Sequence, residues 1–372
     1  MVTADEVRAA LESVIDPEIH RPITDLNMVE DVVVDGETVS VSILLTTAGC
    51  PLRDNIQADV AKTVGALEGV ERVNVRMGAM NHEQRAALQT KLRGGKPERV
   101  VPFSKPGNLT RVYAVASGKG GVGKSSVTAN LAAAMSAQGL KVGLVDADIF
   151  GFSIPRMMGV TTAPTPLNEM IIPPVAHGVK TISIGMFLPD NSPVVWRGPM
   201  LHRALEQFFA DVFWGDLDVL LLDLPPGTGD IAISVAQLVP KSEIVVVTTP
   251  QTAASEVAER AGQMSKQTGQ RVVGVIENMS HLVMPDGSHN ALFGSGGGQF
   301  VADKLSEDLG YEVPLLASIP IEVALREGGD AGVPLVLSEG DSPAQSQLRT
   351  VADRLSHRSR GLVGLGLGVT PV

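Results

Sequence analysis

Thiols are scarce in this chain: cysteine occurs once, as Cys50, among 372 residues. No intrachain disulfide can form, and no metal can be held by several thiolates of one chain. Long apolar runs are also missing. No stretch approaches the roughly 18 residues a membrane-spanning helix needs. The N-terminal stretch lacks the basic-then-apolar order of a secretory signal. A cytoplasmic protein with no membrane partner is therefore expected. Positive charge is not in excess either, since 41 acidic residues outnumber 30 basic ones for a net charge of −11. Nucleic acid and anionic lipid both call for a basic face, so neither is an expected partner.

What remains is ordinary for a globular protein, with 44% hydrophobic and 19% charged residues and length for two or three domains. No internal repeat is evident. Residues 1–80 read as a small α+β domain. Thr3 and Glu6 form a capping box at a helix start. VEDVVVDGETVSVSILL (29–45) reads as a hairpin turning at Asp35-Gly36. A helix follows Pro51, and ERVNVRM (71–77) is a further strand. Residues 81–110, with GGKPE and SKPGN, read as a polar linker that is helical in its first half. From 111 to 356 the pattern becomes strand, loop and helix in alternation. The runs VYAVAS (112–117), KVGLVDAD (141–148), VLLLD (219–223), IVVVTT (244–249) and VVGVIE (272–277) are short, β-branched and almost continuously apolar. Strands covered on both faces by helices look like this. The fold class is α/β, a doubly wound, mostly parallel sheet preceded by the small domain. The glycine-rich end, 357–372, reads as a flexible tail.

The stretch SGKGGVGKSS (117–126) lies between the first of those strands and a helix. GKGGVG alone satisfies the dinucleotide fingerprint GxGxxG, with Asp146 as the acid a ribose would need. The glycines continue, however, into Lys124-Ser125 and complete GxxxxGK[ST]. In such a loop the backbone amides of Gly118, Lys119, Gly120, Gly121, Val122 and Gly123 can face phosphate oxygens, aided by the helix dipole. Lys124 is expected on the β- and γ-phosphates, Ser125 on Mg²⁺, and Ser126 in the same cradle. Asp223, ending VLLLD, is the expected acid of the magnesium shell. A glycine turn that merely capped a helix would leave Lys124, Ser125 and Asp223 without a purpose.

Lys119, directly after the opening glycine, resembles the early lysine of the deviant Walker A loop in the ParA, MinD and nitrogenase iron protein group of dimeric ATPases. That resemblance implies a homodimer in which Lys119 reaches the phosphates held by the partner, adding charge as an arginine finger does. VDADIFGFSIPRMMG (145–159), VVWRGPM (194–200), DLPPGTGD (223–230) and IENMSHLVMPDG (276–287) together resemble the Mrp/ApbC-type iron–sulfur cluster carrier ATPases. Residues 15–51, from IDPEIHRPITDLNMV to LLTTAGCP, resemble the small domain often found in front of them. The family resemblance implies ATP and Mg²⁺ as cofactors, an iron–sulfur cluster as cargo, and assembly proteins and apoprotein clients as partners. It further implies that Asp148 orients the attacking water with Asp146 in support, and that Gly227 is the flexible switch. Asn278 would read the adenine edge, and Pro320 in ASIPIE would lie against the base.

One feature departs from that family. Its members follow the ENMS motif with a CxxC pair that bridges a cluster between two chains, whereas here Met284, Pro285, Asp286 and Gly287 occupy that neighbourhood. A four-thiolate bridging cluster is impossible there. Cys50 remains as the candidate iron–sulfur ligand, at a strand end before a helix, a setting that lowers a thiol pKa; Asp16 and Glu18 are nearby oxygen donors. His281 and His289 flank the missing pair with Asp286 between them, but their spacing matches no familiar metal pattern. His20 reads as a surface residue, and the methionines as core filler. The alternative function is a ParA- or MinD-type nucleotide switch for positioning or assembly that carries no cluster.

Overall fold

The computed structural model describes residues 2–46, 52–92, 100–149, 151–187, 198–227, 229–251 and 254–357. Cys50, the tail beyond 357, Thr228 and most of VVWRGPM lie outside the described residues. The chain divides into two compact units.

The first unit takes in residues 1–99, 162–174 and 211–215. Helix α1 (Ala4–Ala10) starts at the capping box: Glu6 N–H donates to Thr3 Oγ1 at 3.2 Å, and Thr3 N–H donates to Glu6 Oε2 at 2.8 Å. Strands β1 (Val29–Asp35) and β2 (Thr38–Leu45) form the antiparallel hairpin, turning through Gly36 at φ +60°. Helix α2 (Arg53–Gly65) then crosses over to β3 (Arg72–Ala79), which lies parallel to β2. This unit extends past residue 80. Helix α3 (His82–Leu92) occupies the front of the expected linker, and Leu88 is fully buried in the unit's core. The unit also includes the hairpin β4 (Thr165–Leu167) and β5 (Met170–Ile172), whose Leu167, Met170 and Ile172 join the same core. A boundary drawn along the sequence misses such a segment, because it interrupts the sequence of the second unit.

The second unit is the doubly wound sheet. In chain order its strands are β6 (Arg111–Ala116), β7 (Val142–Asp146), β8 (Val179–Ser183), β9 (Val219–Asp223), β10 (Glu243–Thr248), β11 (Val272–Val283) and β12 (Leu315–Ile321). Among the described residues these run parallel in the spatial order β12-β11-β10-β6-β9-β7-β8. Two-residue strands Val175–Ala176 and His289–Asn290 pair antiparallel at β8 and β11. Helix α4 (Lys124–Ala137) follows β6 and is buried over most of its length, from Val127 to Met135. Its run of alanines lets it lie close to the sheet and to α5 (Pro343–Ser356), since small side chains shorten the helix-packing distance. Order reverses beside β6, and in open α/β sheets the crevice at such a switch point binds the ligand.

Candidate functional site

The loop from Ser117 to Gly123 leaves the carboxyl end of β6 and becomes α4. Gly121 and Gly123 have φ of +81° and +79°, a region that suits glycine. Gly123 is also pinned from outside: a β-carbon there would lie 2.2 Å from Asn278 Nδ2. Gly118 is packed against Val257, and Arg260 donates to the Gly118 carbonyl at 2.6 Å. The loop is thus held while its inner edge borders a cavity of about 210 Å³ lined by Lys119, Gly120, Gly121, Lys124, Ser125, Asp148 and Pro226. We expect Gly123→Ala to cut nucleotide affinity at least tenfold, with about 1–3 kcal/mol of destabilisation, readable by calorimetry and denaturant unfolding.

The floor of this cavity is a buried charge network. Lys124 Nζ lies 2.7 Å from Asp223 Oδ1, the two side chains 6% and 0% exposed. Ser125 donates to Asp223 Oδ2 at 2.6 Å, and Thr128 donates to Asp223 Oδ1 at 2.9 Å. Thr128 escaped the sequence reading, although its place one helical turn after Lys124 puts both on one face of α4. Registered beside Asp223 in the sheet is Asp146, fully buried. Burial, and then the Asp223 charge, push its carboxyl up to about 8. It accepts from Ser183 Oγ at 3.2 Å and from the backbone of Asp148 and Ile154 at 3.2 and 3.3 Å. Asp146 thereby fixes the segment bearing Asp148, whose Oδ1 accepts from Gly151 N–H at 3.1 Å. The ribose role open to Asp146 in the dinucleotide reading is not available to a carboxyl buried below the loop.

A second cavity, about 420 Å³, adjoins the first and shares Gly123, Ser126, Ser153 and Met157 with it. Asn278 and Pro320 both line it, with Met279, Ile321, Leu325 and Arg326. Asn278 reaches this place through an irregularity in the β11–β12 register between Asn278 and Leu282, where Met279 takes φ +57°. Such bulges re-aim side chains. Asn278 Nδ2 donates to the Val122 carbonyl at 2.9 Å, while its Oδ1 is buried without a hydrogen-bond partner among the described residues. A buried orphan acceptor costs roughly 1–3 kcal/mol until a donor meets it, so the cavity suits a flat apolar group carrying an N–H donor.

Lys119 and Gly227 lie at the rim. Lys119 Nζ donates to Gln251 Oε1, and it has no carboxylate partner among the described residues. Gly227 sits at φ +94° and donates its N–H to the Ser117 carbonyl at 2.8 Å.

The expected cluster ligands are only partly described. Cys50 is outside the described residues, and among the described residues no three His, Cys, Asp or Glu side chains converge as a metal site. His281 and His289, which spacing leaves unrelated, stack with ring centroids 4.1 Å apart. In the first unit Asp16 Oδ1 accepts from the N–H groups of Glu18 and Ile19 at 2.9 and 2.8 Å. Burial, and then the Asp16 charge, raise the Glu18 carboxyl from 4.5 to about 7. A raised carboxyl favours the folded state below about 4.5, and that advantage is lost as pH rises through about 7. Glu18→Gln should therefore be more stable than wild type at pH 8, by at most about 3 kcal/mol, with the gap closing towards pH 4.5. Denaturant midpoints at the two pH values check this.

A parallel sheet that ends in GxxxxGK[ST], with the loop lysine paired to a carboxylate of the adjacent strand, defines a P-loop nucleotide-binding protein. Comparison with known proteins sharpens the class. The family model of NUBPL iron-transfer P-loop NTPases matches residues 108–356, and that of iron–sulfur cluster assembly proteins matches 4–76. The iron–sulfur cluster carrier protein of Mycobacterium tuberculosis is 59% identical, over 98% of this chain and 96% of its own length. That of Synechocystis is 42% identical, over 96% of this chain and 98% of its own. A nucleotide-binding protein from Archaeoglobus fulgidus, solved with ADP, is 33% identical with a TM-score of 0.54, covering 65% of this chain and 96% of that one. The chain belongs to the iron-transfer P-loop NTPase family. Among the described residues no helix is long and apolar enough to cross a membrane.

Proposed function

We propose that this protein is an ATP-hydrolysing iron–sulfur cluster carrier of the cytoplasm, working as a homodimer that hands clusters to apoproteins. The observation that carries this reading is the division of labour between the loop lysines. Lys124 is committed to Asp223 within the site, whereas Lys119 stands at its rim with, among the described residues, the Gln251 amide to hold it. The residues present fit ATP and Mg²⁺: a glycine loop that tolerates no β-carbon at Gly123, a serine beside a buried carboxylate, and an orphan acceptor in the neighbouring cavity.

In this reading Gly118 to Gly123 present backbone N–H groups to the phosphates, and Lys124, Ser125 and Ser126 complete the cradle. ATP would supply the transferable phosphoryl group, and Mg²⁺, when bound, would offset the negative charge of its phosphates. Ser125 and Asp223 would hold the metal, with Asp223 exchanging its Lys124 contact for that task. Asp148 orients the attacking water, its loop anchored through Asp146. Lys119 leaves Gln251 for the phosphates bound by the second chain, which makes hydrolysis dependent on dimerisation. Asn278 Oδ1 accepts from the exocyclic amine of adenine, and Pro320 lies against the ring. Gly227, next to Ser117, can change backbone conformation with the γ-phosphate.

The cargo half of the proposal draws on the relatives' names and on the matched N-terminal family model. Two chains bring two Cys50 thiolates, half of a four-thiolate set, and the remaining ligands come from a partner or a small thiol. The absence of any cysteine after Cys50 favours a second reading, a nucleotide switch that serves assembly without holding a cluster. Anaerobic reconstitution with iron and sulfide separates them. Wild type should gain iron and visible absorbance that Cys50→Ser does not; equal background iron in both would leave the switch in its place.

A further inference from the structure

Beyond the nucleotide site, the end of β11 and the two-residue strand His289–Asn290 form an antiparallel ribbon, with Leu282 opposite Asn290 and Val283 opposite His289. His281 and Val283 share a face by the two-residue alternation of a strand. His281 and His289 are therefore diagonal neighbours on that face, close enough for long side chains to meet. Their rings do meet, with centroids 4.1 Å apart and planes 20° from parallel. His289 is exposed and His281 half-buried. Among the described residues neither imidazole makes an ion pair with a carboxylate. The neighbouring acids are committed: Asp286 Oδ1, at the ribbon tip, accepts from Ser288 N–H and Oγ at 2.9 and 2.6 Å, and Glu277 Oε2 accepts from Gly298 N–H at 2.6 Å.

The chemistry of the pair suits a metal ion. Imidazole nitrogens are common ligands for transition ions, and here two of them share one face of the ribbon with their rings in contact. Ser280 Oγ lies 3.0 Å from His281 Nδ1. With Nδ1–H donating to that hydroxyl, Nε2 is left as the ligand, the usual outer-shell arrangement of a metal-bound histidine. To hold an ion about 2.0–2.1 Å from a nitrogen of each ring, the rings must turn from the stacked arrangement seen here to a converging one. His289 is the exposed member of the pair, on a two-residue strand, and is the ring that would turn.

We propose that His281 and His289 form an open, two-imidazole site for a single divalent transition ion of the zinc class. Imidazole suits zinc, copper, nickel and iron ions. With two protein ligands per chain, the remaining positions stay with water or with ligands from another molecule, so the ion is held in exchange and not locked into the fold. The site is distinct from the iron–sulfur reading, since it uses no thiolate, and it stands or falls independently of it.

The test is calorimetric titration of the untagged full chain with Zn²⁺, comparing wild type, His281→Ala, His289→Ala, the double variant, and His357→Ala as a control from a distant helix end. Wild type should bind Zn²⁺ with shifts in the ring-proton resonances of two histidines. Loss of outer-shell partners alone costs about 10–100-fold in affinity, so each single variant should lose at least about tenfold. The double variant should lose the site and His357→Ala should keep it. Because His289 is exposed, His289→Ala retains the fold and its circular dichroism spectrum will show it. Zn²⁺ binding by the double variant with wild-type affinity and stoichiometry, or no Zn²⁺ binding by wild type, overturns the proposal.

Discussion

Lys124→Ala should abolish nucleotide binding and, in the absence of nucleotide, weaken the fold as well. The two effects have separate origins. Binding is lost because Lys124 is the cation placed for the phosphates at the start of α4. Stability is lost because Asp223, fully buried, would lose the ammonium 2.7 Å away. Breaking a buried pair by removing one partner costs about 3–5 kcal/mol. Ser125 and Thr128 still donate to Asp223 and hold the loss towards the lower figure. Adding Asp223→Asn removes the stranded charge and should restore most of the stability while binding stays absent. Equilibrium unfolding and nucleotide titration of the single and double variants resolve the two. A single variant as stable as wild type would mean that the carboxylate finds another partner.

Lys119→Ala is expected to give the opposite pattern. Its side chain does not pair with Asp223, and Gln251 is the contact it makes, so nucleotide affinity should stay within a few-fold of wild type. Hydrolysis should fall by about 10³–10⁵, the worth of a finger cation supplied from outside the site. Phosphate release must then also depend on protein concentration in wild type, because the cation comes from a second chain. If Lys119→Ala releases phosphate at the wild-type rate, the lysine is a rim residue and the trans mechanism does not operate here.

The phosphate loop was legible because its chemistry is contiguous: Gly118 to Ser126 carry loop, cation and metal ligand in nine residues, bracketed by an apolar strand and a helix. Asp223 was legible as the polar end of a wholly apolar strand. Contacts made by folding alone were not. Thr128 on Asp223, Arg260 on the Gly118 carbonyl and Asn278 on the Val122 carbonyl depend on how α4 packs on β9, and how the helix Ala254–Thr268 and β11 pack around the loop. Strand β8, Val179–Ser183, was missed for a physical reason: it is buried throughout, yet Lys180, Thr181 and Ser183 break its apolar run. The His281–His289 contact was hidden because a tight ribbon brings together residues whose sequence spacing matches no metal motif. The reach of the first unit beyond residue 80 was hidden likewise, because α3 offers few apolar positions apart from Leu88.

Coupling between nucleotide and cargo is the claim on which the functional account rests, and transfer measures it most directly. Anaerobically reconstituted protein is mixed with an apoprotein that gains a spectrum on receiving a cluster, with and without ATP and Mg²⁺, for wild type and Lys119→Ala. The account predicts transfer from wild type at a rate that nucleotide changes, and loss of that nucleotide response in Lys119→Ala. Transfer that ignores nucleotide in both proteins, or no transfer at all, would contradict it.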